Sequence, residues 1–131
     1  MILDTSFLID LFRGQDAAFQ KGSELVAAGA VQRVPAPVVA ELAYGVEMEG
    51  TNAERRKFDN AMAMYPVVTQ TRELARLSGE LLAKADRTDG GESGIDPIDP
   101  MIAAVSVVVG EPVLTDNVDH FKQLGVDVET Y

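Results

Sequence analysis

The chain has 131 residues, 47% of them apolar, no cysteine, and a net charge of −10 from 21 acids against 11 bases. That size and apolar content suit one domain spanning residues 1–131 and exclude a disordered chain, while the lack of cysteine excludes disulfide staples and thiolate zinc sites and fits a cytoplasmic location. The charge argues against a broad basic surface for nucleic acid. It leaves two explanations open: a surface suited to a high-salt cytoplasm, or acids gathered in a site for a metal ion or a basic partner. No signal peptide is expected, because the first apolar stretch lacks a basic lead-in and contains Asp4. The run Met101 to Val109, broken only by Ser106, is far shorter than the roughly 20 residues of a membrane span, so no membrane association is expected.

Met1 to Leu3 predicts a strand, followed by a helix from about Ser6 to Phe12 with Thr5 or Ser6 as cap and Gly14 as stop. A helix follows over Ala17 to Ala28, ended by Gly29, and then a short strand from Val31 to Val34 that stops at Pro35. Val38 to about Glu49 is helical. Thr51 to Met64 predicts another helix, with Thr51 and Glu54 at capping-box spacing. Tyr65 to Val68 is strand-like, and Thr71 to Thr88 is a long amphipathic helix carrying Leu74, Leu77, Leu81 and Leu82 on one side. After the turn-rich segment 89–94 comes a helix from Pro100 to Val109, ended by Gly110. A strand at Val113 to Thr115, a helix at Val118 to Leu124 and a strand at Val126 to Thr130 complete the chain. This alternation with short connections predicts an α/β fold: a parallel sheet covered by helices on both faces. Such sheets bind ligands at the carboxyl ends of their strands, where Asp4 and Asp116 fall.

The acids carry the functional signal, and each has an ordinary local explanation beside it. Asp4 follows the apolar pair Ile2-Leu3, where an unpaired charge is costly, or it caps the first helix. Glu41 interrupts Val38-Val39-Ala40 and Leu42-Ala43-Tyr44; it lies on an exposed helical face, or it faces inward and needs a cation or donors. Asp99 precedes Pro100 and has the signature of an N-cap, with Asp96 of a similar Asp-Pro pair as its competitor. Asp116, Asn117 and Asp119 are possible ligands or caps of the helix that follows. Two carboxylates about 4 Å apart repel by roughly 4 kcal/mol at an effective dielectric of 20, so a cluster of them calls for a cation. Oxygen donors of this kind suit magnesium or manganese, which can polarise a phosphoryl oxygen and supply hydroxide near neutral pH. The single histidine, His120, rules out a two-histidine nuclease within this chain, and Gly91-Glu92-Ser93-Gly94 lacks the last glycine of a nucleophile elbow. A haloacid-dehalogenase-like phosphatase would want an aspartate where Ser6 stands.

Four segments together resemble the PIN-domain ribonucleases, and most closely the VapC-type toxins of toxin–antitoxin pairs. They are Ile-Leu-Asp-Thr-Ser-Phe-Leu-Ile-Asp at 2–10, Ala-Glu-Leu at 40–42, Asp-Pro-Met-Ile-Ala-Ala at 99–104 and Val-Leu-Thr-Asp-Asn-Val-Asp-His-Phe at 113–121. The resemblance implies a three-layer α/β/α fold with a central parallel sheet and Mg2+- or Mn2+-dependent endonucleolytic cleavage of RNA. It makes Asp4 and Asp99 the principal metal ligands and Glu41 the acid between them. The fourth acidic position falls at Asn117, with Asp116 beside it, so either Asp116 substitutes, directly or through water, or the site works with three acids. Thr5, Ser6, Thr115, Asn117 and Asp119 become supporting residues, while Ala103 and Ala104 let the Asp99 helix approach the sheet. It further implies a small antitoxin with a basic tail and a homodimer. For RNA contact the chain offers Arg13 and the Arg55-Arg56-Lys57 cluster, the latter read in the first place as a solvated helix face. A housekeeping RNA-processing nuclease of the same family and a non-catalytic acidic interaction module are the alternatives.

Overall fold

Two apolar dipeptides, Ile2-Leu3 and Val113-Leu114, sit at the centre of the molecule with no exposed surface. Strands buried on both faces are what an α/β sheet requires in its middle. The computed structural model describes residues 1–131. In chain order its elements are β1 (Ile2–Leu3), α1 (Thr5–Phe12), α2 (Asp16–Ala27), β2 (Val34–Pro35), α3 (Ala36–Glu49), α4 (Asn52–Met64), β3 (Val67–Val68), α5 (Arg72–Thr88), α6 (Ile98–Val109), β4 (Val113–Leu114), α7 (Val118–Gln123) and β5 (Val128–Glu129).

All strand pairs are parallel. One ladder runs β1-β4-β5 and another β2-β3, and a bridge between Ile2 and Arg33 joins them. The Leu3 N–H donates to the Arg33 carbonyl and the Arg33 N–H to the Met1 carbonyl, each at 2.9 Å. The spatial order is therefore β3-β2-β1-β4-β5. Connections from β1 run outward one way through β2 to β3, then return across to β4, so the switch in direction lies between β1 and β4. The crevice beyond the carboxyl ends of that pair is the place where such folds bind ligands.

Helices α1 to α4 pack among themselves, with α1 against α2, α3 and α4; α5 lies along α6, and α6 packs on α7, β1, β2 and β4. Helix α3 also touches α6, which brings these two helix groups together. Ala103 and Ala104 are fully buried where α6 meets the sheet. Phe7, Leu8, Val38, Ile102, Val105 and Phe121 complete one continuous core.

The predicted elements are all present, with shifted ends. Thr51 accepts from the Glu54 N–H at 3.2 Å while Glu54 accepts from the Thr51 N–H at 2.8 Å, a full capping box. Helix α3 begins two residues earlier than expected, because Pro37 occupies a first-turn position whose N–H has no helical partner anyway. Helix α6 also starts early, at Ile98, and its N-cap position is Pro97. The strands shorten to two residues each, and β2 shifts to Val34–Pro35 so that the proline expected to stop it is its second residue, while Thr115 N–H still reaches the Glu129 carbonyl at 3.1 Å. Gly110 (φ 73°) ends α6 in the left-handed region, a conformation that glycine adopts without strain.

Candidate active site

Neither Asp4 nor Asp99 spends its carboxylate on a helix cap. Asp4 occupies the cap position of α1 but makes no side-chain capping bond. Asp99 lies inside the first turn of α6, and the cap-like bond there belongs to Asp96, whose Oδ1 accepts from the Ile98 N–H at 2.9 Å. The expected Thr5 or Ser6 cap is also absent. Thr5 is already helical, and both hydroxyls turn to the acids instead.

Asp4 is only 5% exposed. Its Oδ2 accepts from Ser6 Oγ at 2.8 Å and from Thr115 Oγ1 at 2.6 Å. Thr115, fully buried at the end of β4, also accepts the Asn117 N–H at 2.9 Å. Ser6 Oγ in turn accepts the Asp116 N–H at 3.3 Å. The carboxyl ends of β1 and β4 are thus tied together through one carboxylate and two hydroxyls.

Glu41 sits on α3 between buried Val38 and Leu42, so it does not belong to the exposed face carrying Ala40, Tyr44 and Met48. Its Oε1 accepts from Thr5 Oγ1 at 2.7 Å. Burial pushes the Glu41 carboxyl above its ordinary range; the Thr5 hydrogen bond opposes this, and the charges of Asp4, Asp96 and Asp99 push it further up. Asp99 is raised as well, by burial first, against the His120 hydrogen bond, and with Asp4 and Asp96 adding repulsion. Asp4, Glu41 and Asp99 therefore share one electrostatic neighbourhood, built from β1, α3 and α6.

Asp99 Oδ2 carries two contacts, Asn117 Nδ2 at 3.1 Å and His120 Nδ1 at 2.8 Å. Of the three polar candidates Asp116, Asn117 and Asp119, it is Asn117 whose side chain reaches the acids. Asp116 engages through its backbone, its side chain is exposed, and Asp119 is exposed too. Sequence reasoning missed the His120 contact, though the spacing of Asn117 and His120, one helical turn apart, was a usable signal. It also missed Tyr131, whose phenol donates to Asp10 Oδ2 at 2.8 Å and whose ring meets Phe7 edge-on at 5.1 Å. Burial and then the Asp10 carboxylate raise that phenol, which also neighbours Ser6 and Asp116.

The donor set fits a hard cation. In each of the three acids one oxygen is held by protein donors and the other has no hydrogen-bond partner: Asp4 Oδ1, Glu41 Oε2 and Asp99 Oδ1. None of these three free oxygens is sealed from solvent. No three His, Asp or Glu side chains close into a ready-made metal cage. Magnesium does not need one, since it commonly uses one or two carboxylates and keeps several waters.

Beside Glu41 a cleft of about 180 Å3 runs between α1, α3 and α4, lined by Ile9, Phe12, Leu42 and Val46 with Glu49, Glu54 and Arg13 at its polar positions. Of the basic cluster on α4, Arg55 is paired with Glu47 and Lys57 donates to the Phe12 carbonyl. Arg13 is exposed.

The model of the PIN domain matches residues 1–126. Ribonuclease VapC19 of Mycobacterium tuberculosis is 35% identical over 120 residues, which cover 92% of this chain and 90% of that protein. Among solved structures, VapBC2 from Rickettsia felis, bound to a promoter DNA fragment, superposes with a TM-score of 0.84 at 20% identity over 99% of this chain and 97% of the other. The Mycobacterium tuberculosis toxin VapC20, described as cleaving the sarcin–ricin loop, does so with a TM-score of 0.70 at 20% identity over 95% of each chain. No helix is long and apolar enough to cross a membrane. With a parallel sheet whose carboxyl edge gathers Asp4, Glu41 and Asp99, a domain match over nearly its whole length and a VapC relative at 35% identity, this chain belongs to the PIN-domain family and within it to the relatives of the VapC ribonucleases.

Proposed function

We propose that the chain is a metal-dependent endoribonuclease, the toxin of a type II toxin–antitoxin pair, acting in the cytoplasm. The observation that carries this is the trio of desolvated acids, each holding one unpartnered, accessible oxygen at the carboxyl edge of the sheet. Asp4 and Asp99 hold Mg2+ or Mn2+, and Glu41 completes the acidic set. The ion, when bound, polarises a phosphoryl oxygen and lowers the pKa of water. The chain's own residues do the rest. Ser6 and Thr115 lock the Asp4 carboxylate so that one oxygen stays free. Glu41, held by Thr5 through one oxygen at 2.7 Å, keeps its second carboxylate oxygen free to orient the attacking water. Asp116 contributes its backbone N–H to Ser6 while its side chain is exposed, which favours a site working with three acids.

The substrate is RNA, and Arg13, at the cleft that Glu41 also lines, grips its phosphates. The partner is a small antitoxin with a basic tail, for which a cleft carrying Glu41, Glu49 and Glu54 on a chain of net charge −10 is electrostatically suited. Tyr44 and Met48, exposed on α3, offer apolar area for such a contact or for a homodimer. The test is incubation of purified protein with total RNA and Mn2+ beside Asp4→Asn and Asp99→Asn. Discrete fragments are expected from the wild type alone, and EDTA abolishes them. Equal cleavage by the variants, or none by the wild type, overturns the proposal; the second result favours a non-catalytic interaction module.

A further inference from the structure

We propose that His120 and Asn117 are positioning residues that hold the Asp99 carboxylate for a divalent cation. The inference rests on the metal-dependent activity proposed above and extends it to residues that do not themselves touch the ion.

Asp99 stands on the first turn of α6, but both groups that hold it come from the far side of the crevice: Asn117 from the segment after β4, and His120 from α7. Both reach the same oxygen, Oδ2. A carboxylate fixed through one oxygen has its rotamer set by the protein and its second oxygen, Oδ1, left to coordinate. Outer partners of this kind orient a ligand and remove the entropy it would otherwise lose on binding.

The hydrogen positions follow from the three short distances. Asn117 Nδ2 and His120 Nδ1 are 2.8 Å apart, and each is within 3.1 Å of Asp99 Oδ2. A bare Nδ1 would aim its lone pair at a carboxylate oxygen 2.8 Å away, two acceptors in repulsive contact. Nδ1 therefore carries a proton and donates to Asp99, and the Asn117 amide points its nitrogen to the same oxygen. The 2.8 Å contact between Asn117 Nδ2 and His120 Nδ1 is then a close approach of two donors, held by the negative oxygen they share. Turning the amide over would face its oxygen to the carboxylate. A fourth carboxylate, at residue 117, would repel Asp99, whereas Asn117 donates to it.

The test separates the two ring nitrogens. His120→Asn keeps an amide N–H near the place of Nδ1, while His120→Gln of similar size puts its amide near Nε2, out of reach of Asp99. Mn2+ is titrated calorimetrically into the wild type, both His120 variants, Asn117→Leu and Asp99→Asn, each checked for folding by circular dichroism. Asp99→Asn abolishes the binding seen in the wild type. His120→Gln and Asn117→Leu weaken it by about 10-fold or more, the usual cost of an outer-partner loss. His120→Asn stays close to the wild type. In RNA cleavage, the Mn2+ concentration for half-maximal activity rises by the same factor in His120→Gln, with the rate at saturating Mn2+ largely kept. Wild-type affinity in a folded His120→Gln overturns the positioning role while leaving the metal site intact, as does tighter binding, which would make His120 a competitor of the ion. A wild type that binds no Mn2+ removes the metal site itself. Should His120→Gln fail to fold, Asn117→Leu decides alone.

Discussion

Replacing Thr115 with valine removes one hydroxyl from the middle of the site while keeping the side chain's shape. Thr115 is fully buried, and valine fills the same volume, so no cavity opens. Two hydrogen bonds disappear: the 2.6 Å bond to Asp4 Oδ2 and the 2.9 Å bond from the Asn117 N–H. A hydrogen bond to a charged group contributes roughly 1.5–3 kcal/mol, and an N–H left without its acceptor adds about 1 kcal/mol where water reaches it poorly. The sum is about 3 kcal/mol. With an unfolding entropy of about 2.1 cal/mol/K per residue, that loss over 131 residues lowers the thermal midpoint by about 11 °C. Thr115→Ser keeps the hydroxyl and gives up one methyl, for about 1 kcal/mol. Differential scanning calorimetry in EDTA measures both, and the same pair titrated with Mn2+ separates packing from site. Thr115→Ser keeps the metal-induced rise in midpoint, and Thr115→Val loses much of it because Asp4 is no longer fixed. A Thr115→Val protein that melts with the wild type would show that the hydroxyl holds nothing.

Three further outcomes follow from the same geometry. Glu41 has a folded-state pKa above its ordinary 4.5, so its charged form opposes folding. That penalty is absent below the unfolded value and grows as pH rises through the folded one. Glu41→Gln therefore stabilises the metal-free protein at pH 7 but not at pH 4 in urea denaturation, and an equal gain at both pH values contradicts the desolvation account. Asp96→Ala removes the acceptor of the Ile98 N–H and costs about 1 kcal/mol of stability, leaving Mn2+ affinity nearly unchanged; a large drop in affinity would make Asp96 the ligand instead of Asp99. Arg13→Gln weakens RNA binding and lowers the slope of log affinity against log salt by about 1, as expected for one lost phosphate contact. An unchanged slope places the RNA elsewhere.

The strands and helices were legible because their apolar spacing is strong and the turns carry glycine or proline. Asp4 stood out because it follows a fully apolar pair, and Glu41 because it breaks an apolar helical run. The two Asp-Pro pairs at 96–97 and 99–100 were harder to read. Local preference suits either aspartate to a cap, and only the start of α6 at Ile98 gives the cap-like bond to Asp96, beside the N-cap Pro97, and leaves Asp99 free for the crevice. The hydroxyls of Thr5 and Ser6 looked like caps for the same reason. Their actual partners, Glu41 and Asp4, are set by how α1 packs against α3 and by the end of β1, neither of which local sequence encodes. The turn spacing of Asn117 and His120 marks them as one face, but nothing local names their partner, a carboxylate 21 residues before His120.

Asp4 and the Thr115 that fastens it are 111 residues apart in the chain. At about 5–20 residues per second of synthesis, the ribosome needs on the order of 6–20 s to deliver the second after the first. Strand β1 can meet the Arg33 segment early, but its β4 side stays open until β4 arrives to lie beside it. The Asp4 carboxylate accordingly stays without its Thr115 partner throughout that interval, and the edge of the sheet closes only when β4 and β5 have been delivered.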